Sequence, residues 1–129
     1  MVNALAACEE LIIPVQTEYL ALKGLERMLR TLAMVQRARR TPLPYRIVPT
    51  MYDQRTRASR NTLAVLRERH SARLWPGLIP IDTRFREASR LGRPLCLVAP
   101  EARGTLAYRS LLHELLDGSD QGTPRRSSA

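Results

Sequence analysis

Leu11-Ile12-Ile13-Pro14-Val15-Gln16-Thr17-Glu18-Tyr19-Leu20-Ala21-Leu22-Lys23-Gly24-Leu25 contains the change of period on which the fold turns. Leu11 to Val15 is a compact apolar run between acidic and polar residues, the pattern of a buried strand approaching a loop. Pro14 is expected at the end of that strand, because a proline in the middle removes a ladder hydrogen bond. From about Tyr19 through Arg37 the spacing becomes helical. Leu22, Leu25, Leu29 and Leu32 lie near one face, while Lys23, Glu26, Arg27 and Arg30 face water. A strand running straight into an amphipathic helix makes the helix the cover of a sheet. Gly24 weakens that helix by roughly 1 kcal/mol relative to alanine. Arg37, Arg39 and Arg40 crowd its end, where positive charge complements the helix dipole.

The same alternation continues outward. Upstream, Asn3 to Cys8 reads as a helix end too short to stand alone. Downstream, Pro42 and Pro44 break the helix, and Tyr45 to Met51 reads as the next strand and its exit. Asp53 to Ser59 is turn-prone, and Leu63 and Leu66 lie in a second helix extending to about His70. Leu74-Trp75 and Leu78 to Ile81 are short apolar segments split by Pro76 and Gly77. Asp82 and Thr83 offer oxygens to cap a short helix through about Ser89. Gly92-Arg93-Pro94 ends it, Leu95 to Val98 is expected as a last strand, and a final helix begins near Gly104 or Thr105. Tyr108, Leu111, Leu112 and Leu115 give that helix its apolar face. Repeated strand-to-helix alternation favours an α/β sheet of parallel strands with right-handed crossovers over a helical bundle. The expected organisation is one α/β domain over residues 1–116 and a flexible, weakly apolar tail over 117–129.

Composition narrows the function classes. A chain of 129 residues with 44% apolar residues fits one ordinary domain with a modest core. There is no apolar stretch long enough to span a membrane, and the start lacks the basic region of a secretory signal. Cys8 and Cys96 are too few to staple the domain and form no local metal motif, so a reduced, cytoplasmic setting is expected. His70 and His113 are isolated. The formal charge is +9, and Lys23 is the sole lysine beside twenty arginines. Such a surface favours nucleic acid or another polyanion. Because the arginines are spread along the chain, a solvated surface explains them about as well.

Four blocks resemble, in order, the ParA/MinD superfamily, and most closely its ParA-type chromosome and plasmid partitioning branch. They are Leu11 to Leu25, then Thr50-Met51-Tyr52-Asp53-Gln54-Arg55-Thr56, then Ile79-Pro80-Ile81-Asp82-Thr83-Arg84-Phe85-Arg86-Glu87-Ala88-Ser89, and finally Arg103-Gly104-Thr105-Leu106-Ala107-Tyr108. Each block alone is weak; the ordered set covers nearly everything from Asn3 to Leu116. The family places a glycine-rich phosphate-binding loop with two functional lysines near its amino terminus, and no such glycine-rich run is present here. The chain therefore reads as a carboxy-terminal half of such a protein. Its expected fold class is a partial parallel-sheet P-loop NTPase-like α/β fold lacking the amino-terminal phosphate-binding portion.

The resemblance implies the following. In intact relatives, ATP and magnesium drive dimerisation and hydrolysis, coupled to DNA binding and to the positioning of cargo through a ParB-like or cargo-adaptor protein. Loops after the later strands help to enclose the adenine base, which makes Thr50, Met51, Pro80 and Asp82 candidates for remnants of a nucleobase pocket. Without the family comparison, Asp53 reads as an exposed turn residue and Asp82 as a helix cap. Arg60, Arg90 and Arg93 are the candidate contacts to DNA phosphate, with a salt-bridged role the alternative for each. No catalytic residue and no metal ligand is expected, nor any cofactor for the chain alone, which is read as catalytically inactive with residual nonspecific DNA binding and a location on the nucleoid. The alternatives are a noncatalytic interaction module with a sheet edge open to a partner, or a vestigial fragment. Association with a missing amino-terminal half, or with itself, is a further expectation.

Overall fold

The computed structural model describes residues 1–120. In chain order these form α1 (Val2–Ala7), β1 (Leu11–Gln16), α2 (Tyr19–Ala38), β2 (Tyr45–Thr50), α3 (Arg57–Arg69), α4 (Arg84–Leu91), α5 (Leu95–Val98) and α6 (Arg103–Asp120). The chain divides into two compact units, Met1–Ile81 and Asp82–Ala129. The last nine residues of the expected tail, 121–129, lie outside the described residues, and residues 117–120 belong to α6.

The first unit is built on β1 and β2, which pair in parallel with Leu11 opposite Tyr45 and Gln16 opposite Thr50. α2 makes the crossover between them, as parallel pairing requires. Ile13 and Val15 point inward with Ile47, and Leu25 of α2 and Leu66 of α3 complete this cluster. A second cluster of Leu5, Leu32, Val35 and Leu43 fastens α1 to the far end of α2. The helical spacing read in the sequence is therefore the spacing that buries α2.

Pro14 sits inside β1, not at its end. The reason lies in the alternation of strand hydrogen bonds. The amides of Leu11 and Thr17 donate to Pro44 and Thr50 beside β2, so the odd-numbered residues of β1 face β2 and Pro14 faces the other edge. That edge pairs with no strand among the described residues, and the missing N–H removes no bond there.

On its other side β2 meets residues 73–81, which run parallel to it but form no continuous strand. Ile47 N–H donates to Arg73 at 2.8 Å, and Trp75 N–H returns to the Ile47 carbonyl at 2.9 Å. The next donor in that register would be Pro49, which has none. The chain makes its excursion through Pro76 and Gly77, and the ladder resumes when Ile79 N–H reaches the Pro49 carbonyl at 2.9 Å. Two prolines on facing segments thus explain why an apolar run reads as strand and forms isolated bridges at Leu74 and Pro80.

Arg39 has a role other than the one its position suggested. Its guanidinium donates to the carbonyls of Leu5, Ala6 and Cys8 at 2.7–3.0 Å, so it caps α1 instead of its own helix. Gln36 closes the turn after α2 by exchanging two 2.8 Å hydrogen bonds with the backbone of Leu43.

The second unit contains no strand among its described residues. Leu95 to Val98, expected as a strand, is the short helix α5. Pro94 sets its start, and four apolar residues in a row do not distinguish a buried strand from a single helical turn. Ala88, Leu95 and Ala102 form the buried cluster, with Phe85, Val98 and Ala99 packed around it. Phe85 meets Tyr108 edge-to-face at 5.8 Å between ring centroids. Gly104 makes this packing possible, because a Cβ there would fall 2.4 Å from the Phe85 ring.

Candidate functional site

In open α/β sheets, ligands bind outside the carboxyl ends of the strands, and here the backbone turns irregular at the end of β2. β2 finishes at Thr50, and Met51 follows with a φ of 54°, the sole non-glycine residue in the left-handed region among the described residues. That conformation costs an unbranched side chain about 1–2 kcal/mol. It also breaks the alternation of β2. Ile47 and Pro49 face residues 73–81, so Met51 should come next, but Tyr52 takes its place, donating to Ile79 at 3.1 Å and accepting from Ile81 at 2.9 Å. Met51 is thus an extra residue of the bulge kind, which re-aims side chains at strand ends. Its side chain is left 52% exposed.

Two buried hydroxyls lie beneath this bulge. Thr17, at the end of β1, has its Oγ1 3.2 Å from the carbonyls of both Thr50 and Met51 and 3.1 Å from Ser59 Oγ. Ser59 Oγ also donates to the Thr17 carbonyl and accepts from the Asp53 amide at 3.2 Å. Ser59 lies in the first turn of α3, where its own amide donates to the cap residue Thr56. Asp53 is tied to Arg55 through the amide and the guanidinium of that residue, bonds that hold its carboxyl below the usual range.

The sequence-derived candidates separate on this geometry. Thr50, Met51 and Pro80 gather in the first unit, where Pro80 forms the bridge opposite Tyr52. Asp82 opens the second unit and serves as a double cap. One carboxylate oxygen accepts from the Gly104 amide at 3.0 Å, at the start of α6, and the other accepts from the Arg84 amide at 3.0 Å, at the start of α4. The Gly104 bond in particular holds its carboxyl below the ordinary range, with Arg84 and Arg103 adding to the effect against partial burial. Two cavities of the first unit lie away from these residues. One of 530 Å³ lies between α1 and the end of α2, with Val2, Met34 and Arg40 in its lining. Another of 470 Å³ lies between α2 and α3, with Tyr19, Lys23 and Arg69 in its lining.

Of the arginine candidates, Arg60 is in the first unit and donates to the Gln54 carbonyl at 2.9 Å, keeping its remaining N–H groups for other acceptors. Arg90 pairs with Glu87 one turn away on α4, and Arg93 is exposed beyond the end of that helix. Sequence reasoning passed over Arg57 and Arg67. At about 100° per residue, Arg57, Arg60 and Arg67 fall within roughly 80° of one another on α3 and span about 15 Å along it. All three are exposed. Helical projection of residues 57–69 would have found this row once that helix was recognised. Thr17 and Ser59 were passed over as well, because nothing local marks a buried threonine at a strand end.

Comparison with known proteins fixes the relationship. The AAA domain family model matches residues 1–44. The chain is 34% identical over 115 residues to the sporulation initiation inhibitor protein Soj of Bacillus subtilis, covering 88% of this chain and 46% of that protein. It is 37% identical over 115 residues to the chromosome-partitioning ATPase Soj of Thermus thermophilus, with the same coverage of each. Cobyrinic acid a,c-diamide synthase from Mycobacterium smegmatis with bound ATP analogue and magnesium shares 29% identity at a TM-score of 0.69, over 94% of this chain and 43% of that one. The chain thus spans less than half the length of the relatives it matches.

The AAA match overturns the reading of the chain as a carboxy-terminal half whose fold lacks the amino-terminal phosphate-binding portion. Residues 1–44 fall within that domain model and hold β1, the turn at Thr17-Glu18 and α2, the strand, loop and helix order in which phosphate-binding loops are built. Counting glycines and lysines misplaced this segment, because Gly24 and Lys23 are its sole representatives of either type. Among the described residues, no group of three His, Cys, Asp or Glu side chains could hold a metal ion. No helix among them is long and apolar enough to cross a membrane. A partial parallel sheet whose residues 1–44 match the AAA domain model, in a chain matched along nearly its whole length by partitioning proteins, relates this chain to the ParA/MinD superfamily of P-loop ATPases.

Proposed function

We propose that the chain supplies nucleobase-facing and DNA-contacting parts of a ParA-like partitioning system, and that by itself it binds duplex DNA without sequence preference. The observation that carries this reading is the row of Arg57, Arg60 and Arg67 on α3, the helix that starts directly after the Met51 bulge. Guanidinium groups at such spacing suit successive phosphates and carry no base readout. Arg90 and Arg93 add positive charge on the second unit. Nucleoid association would follow from the same chemistry.

Thr50, Met51 and Pro80 are the proposed contacts to an adenine ring, with Asp82 acting through the structure of its own unit. ATP binding, dimerisation, hydrolysis and stimulation by a ParB-like or cargo-adaptor protein belong to the complete system. Asp53 and Asp82 serve local hydrogen bonds in this reading, and the chain alone is proposed to be catalytically inactive.

Titration of random-sequence duplex DNA over a salt series, with and without ATP and magnesium, tests this function. Saturable binding that weakens steeply with salt and ignores nucleotide is expected. A folded chain that binds no DNA would overturn it. That result would favour a second reading, carried by the edge of β1 that pairs with no strand among the described residues: a noncatalytic module to which a second polypeptide adds a parallel strand. Nucleotide-dependent DNA binding would show that the chain holds a working switch and would overturn the proposed inactivity.

A further inference from the structure

We propose that the Thr17 and Ser59 hydroxyls form a latch that holds the Met51 bulge in its left-handed conformation and so positions the ligand-facing turn Thr50–Asp53. This rests on the reading of that turn as the nucleobase contact, and it assigns positioning roles to two residues that touch no ligand. A non-glycine residue persists in the left-handed region when its surroundings over-determine it. Here the determinants can be named. The Thr17 hydroxyl proton lies within reach of two successive carbonyls, those of Thr50 and Met51, at 3.2 Å each. Ser59 donates to Thr17 and accepts from Asp53, so the residues on both sides of Met51 are fixed to one buried pair. Thr17 and Ser59 are 4% and 5% exposed, which leaves water little access to replace either hydroxyl.

The ligand class follows from what the latch presents. The bulge turns the Met51 thioether outward, next to the Tyr52–Pro80 bridge. A polarisable thioether above such a surface suits the face of a planar heteroaromatic ring. Thr50–Asp53 itself contains no cationic residue, and the guanidinium groups beside it are engaged locally, Arg55 with Asp53 and Arg60 with the Gln54 carbonyl. The base, and not the phosphates, is what this turn would recognise.

Adenosine is therefore the probe, titrated into the full chain while the amides of residues 50–53 and of Ile79 and Ile81 are followed by NMR. Thr17→Val keeps the shape and removes the hydroxyl. It is expected to weaken adenosine about tenfold, the effect of one buried hydrogen bond, and to speed amide exchange at Tyr52 and Asp53. Ser59→Ala should do the same, with the double variant little worse than either single one, because the two hydroxyls act as a unit. The decisive variant is Met51→Gly, which adopts the left-handed conformation without strain. In that background Thr17→Val should lose most of its effect on exchange. If Thr17→Val is as damaging in the Met51→Gly background as in the parent chain, the hydroxyl serves general packing and the latch is wrong. If the unaltered chain binds no adenosine, the nucleobase reading fails, and the exchange data alone judge the latch.

Discussion

The two units solve the problem of holding their elements together by different means. In Met1–Ile81 the organising contacts are apolar and periodic: strand residues Ile13, Val15 and Ile47 meet helix residues Leu25 and Leu66. In Asp82–Ala129 the buried cluster is small, with two alanines and a leucine at its centre. Much of its order comes from a carboxylate bonded to two helix starts and from a glycine that admits an aromatic ring. A unit with a large apolar core should resist the loss of a polar group and suffer from the loss of volume. A unit held by a cap and a close approach should fail at those two points.

The largest effect is expected for Leu66→Ala. Leu66 is fully buried at the meeting of α3 with the sheet, and truncation should cost about 3 kcal/mol through lost transfer energy and the cavity left behind. Trp75 is the sole tryptophan and lies buried in the same unit, so its emission reports the loss directly in a urea titration. A midpoint unchanged from the parent chain would show that the apolar cluster does not set the stability of this unit.

Next comes Gly104→Ala. The new Cβ would sit 2.4 Å from the Phe85 ring, and relief requires the ring to leave its contact with Tyr108. A cost of about 2 kcal/mol is expected, typical of overpacking. Ellipticity at 222 nm should then fall before the Trp75 emission shifts. Simultaneous loss of both signals would mean that the units unfold together, and the contrast drawn between them would not survive as an energetic one.

Asp82→Asn addresses the cap and should cost about 1 kcal/mol, since an amide oxygen replaces only part of a carboxylate that accepts from two helix starts. The pH dependence has a definite sign. The native carboxyl titrates below its ordinary range, so its contribution is fully present above the unfolded value of about 4 and is lost as pH falls through the lower native value. The gap in stability between parent and variant should therefore be constant near neutrality and close in acid. A gap that widened below pH 4 would contradict the assignment of the shift to these amide bonds.

The same division explains what could be read from the sequence. The period of Leu22, Leu25, Leu29 and Leu32 marked α2 to within one residue of its end, because burial of one helix face writes itself into spacing. The turn to left-handed backbone at Met51 was invisible, since its cause lies 34 residues away in Thr17. Leu95 to Val98 was misread because its conformation depends on Pro94 and on packing against Ala88 and Ala102, not on any period that four residues can show. Thr50, Met51 and Pro80 were named through resemblance, and it is the bulge that brings them together. Arg57 and Arg67 needed a helix projection before they joined Arg60.

The smallest expected effect has the opposite sign and uses the same substitution as the second. Gly24 lies within α2 on an exposed position, and a Cβ there would meet nothing within 4 Å. Gly24→Ala should then stabilise the first unit by about 0.5–1 kcal/mol through helix propensity alone, raising the urea midpoint followed by Trp75. Set beside Gly104→Ala, it makes one chemical change read two physical situations: conformational freedom in a helix whose anchoring is apolar and already sufficient, and space required by a ring in a unit that has little else to hold it. Should Gly24→Ala destabilise instead, α2 must carry a contact at that position, and the outer face of this helix would have to be counted as part of an interface and not as a solvated surface.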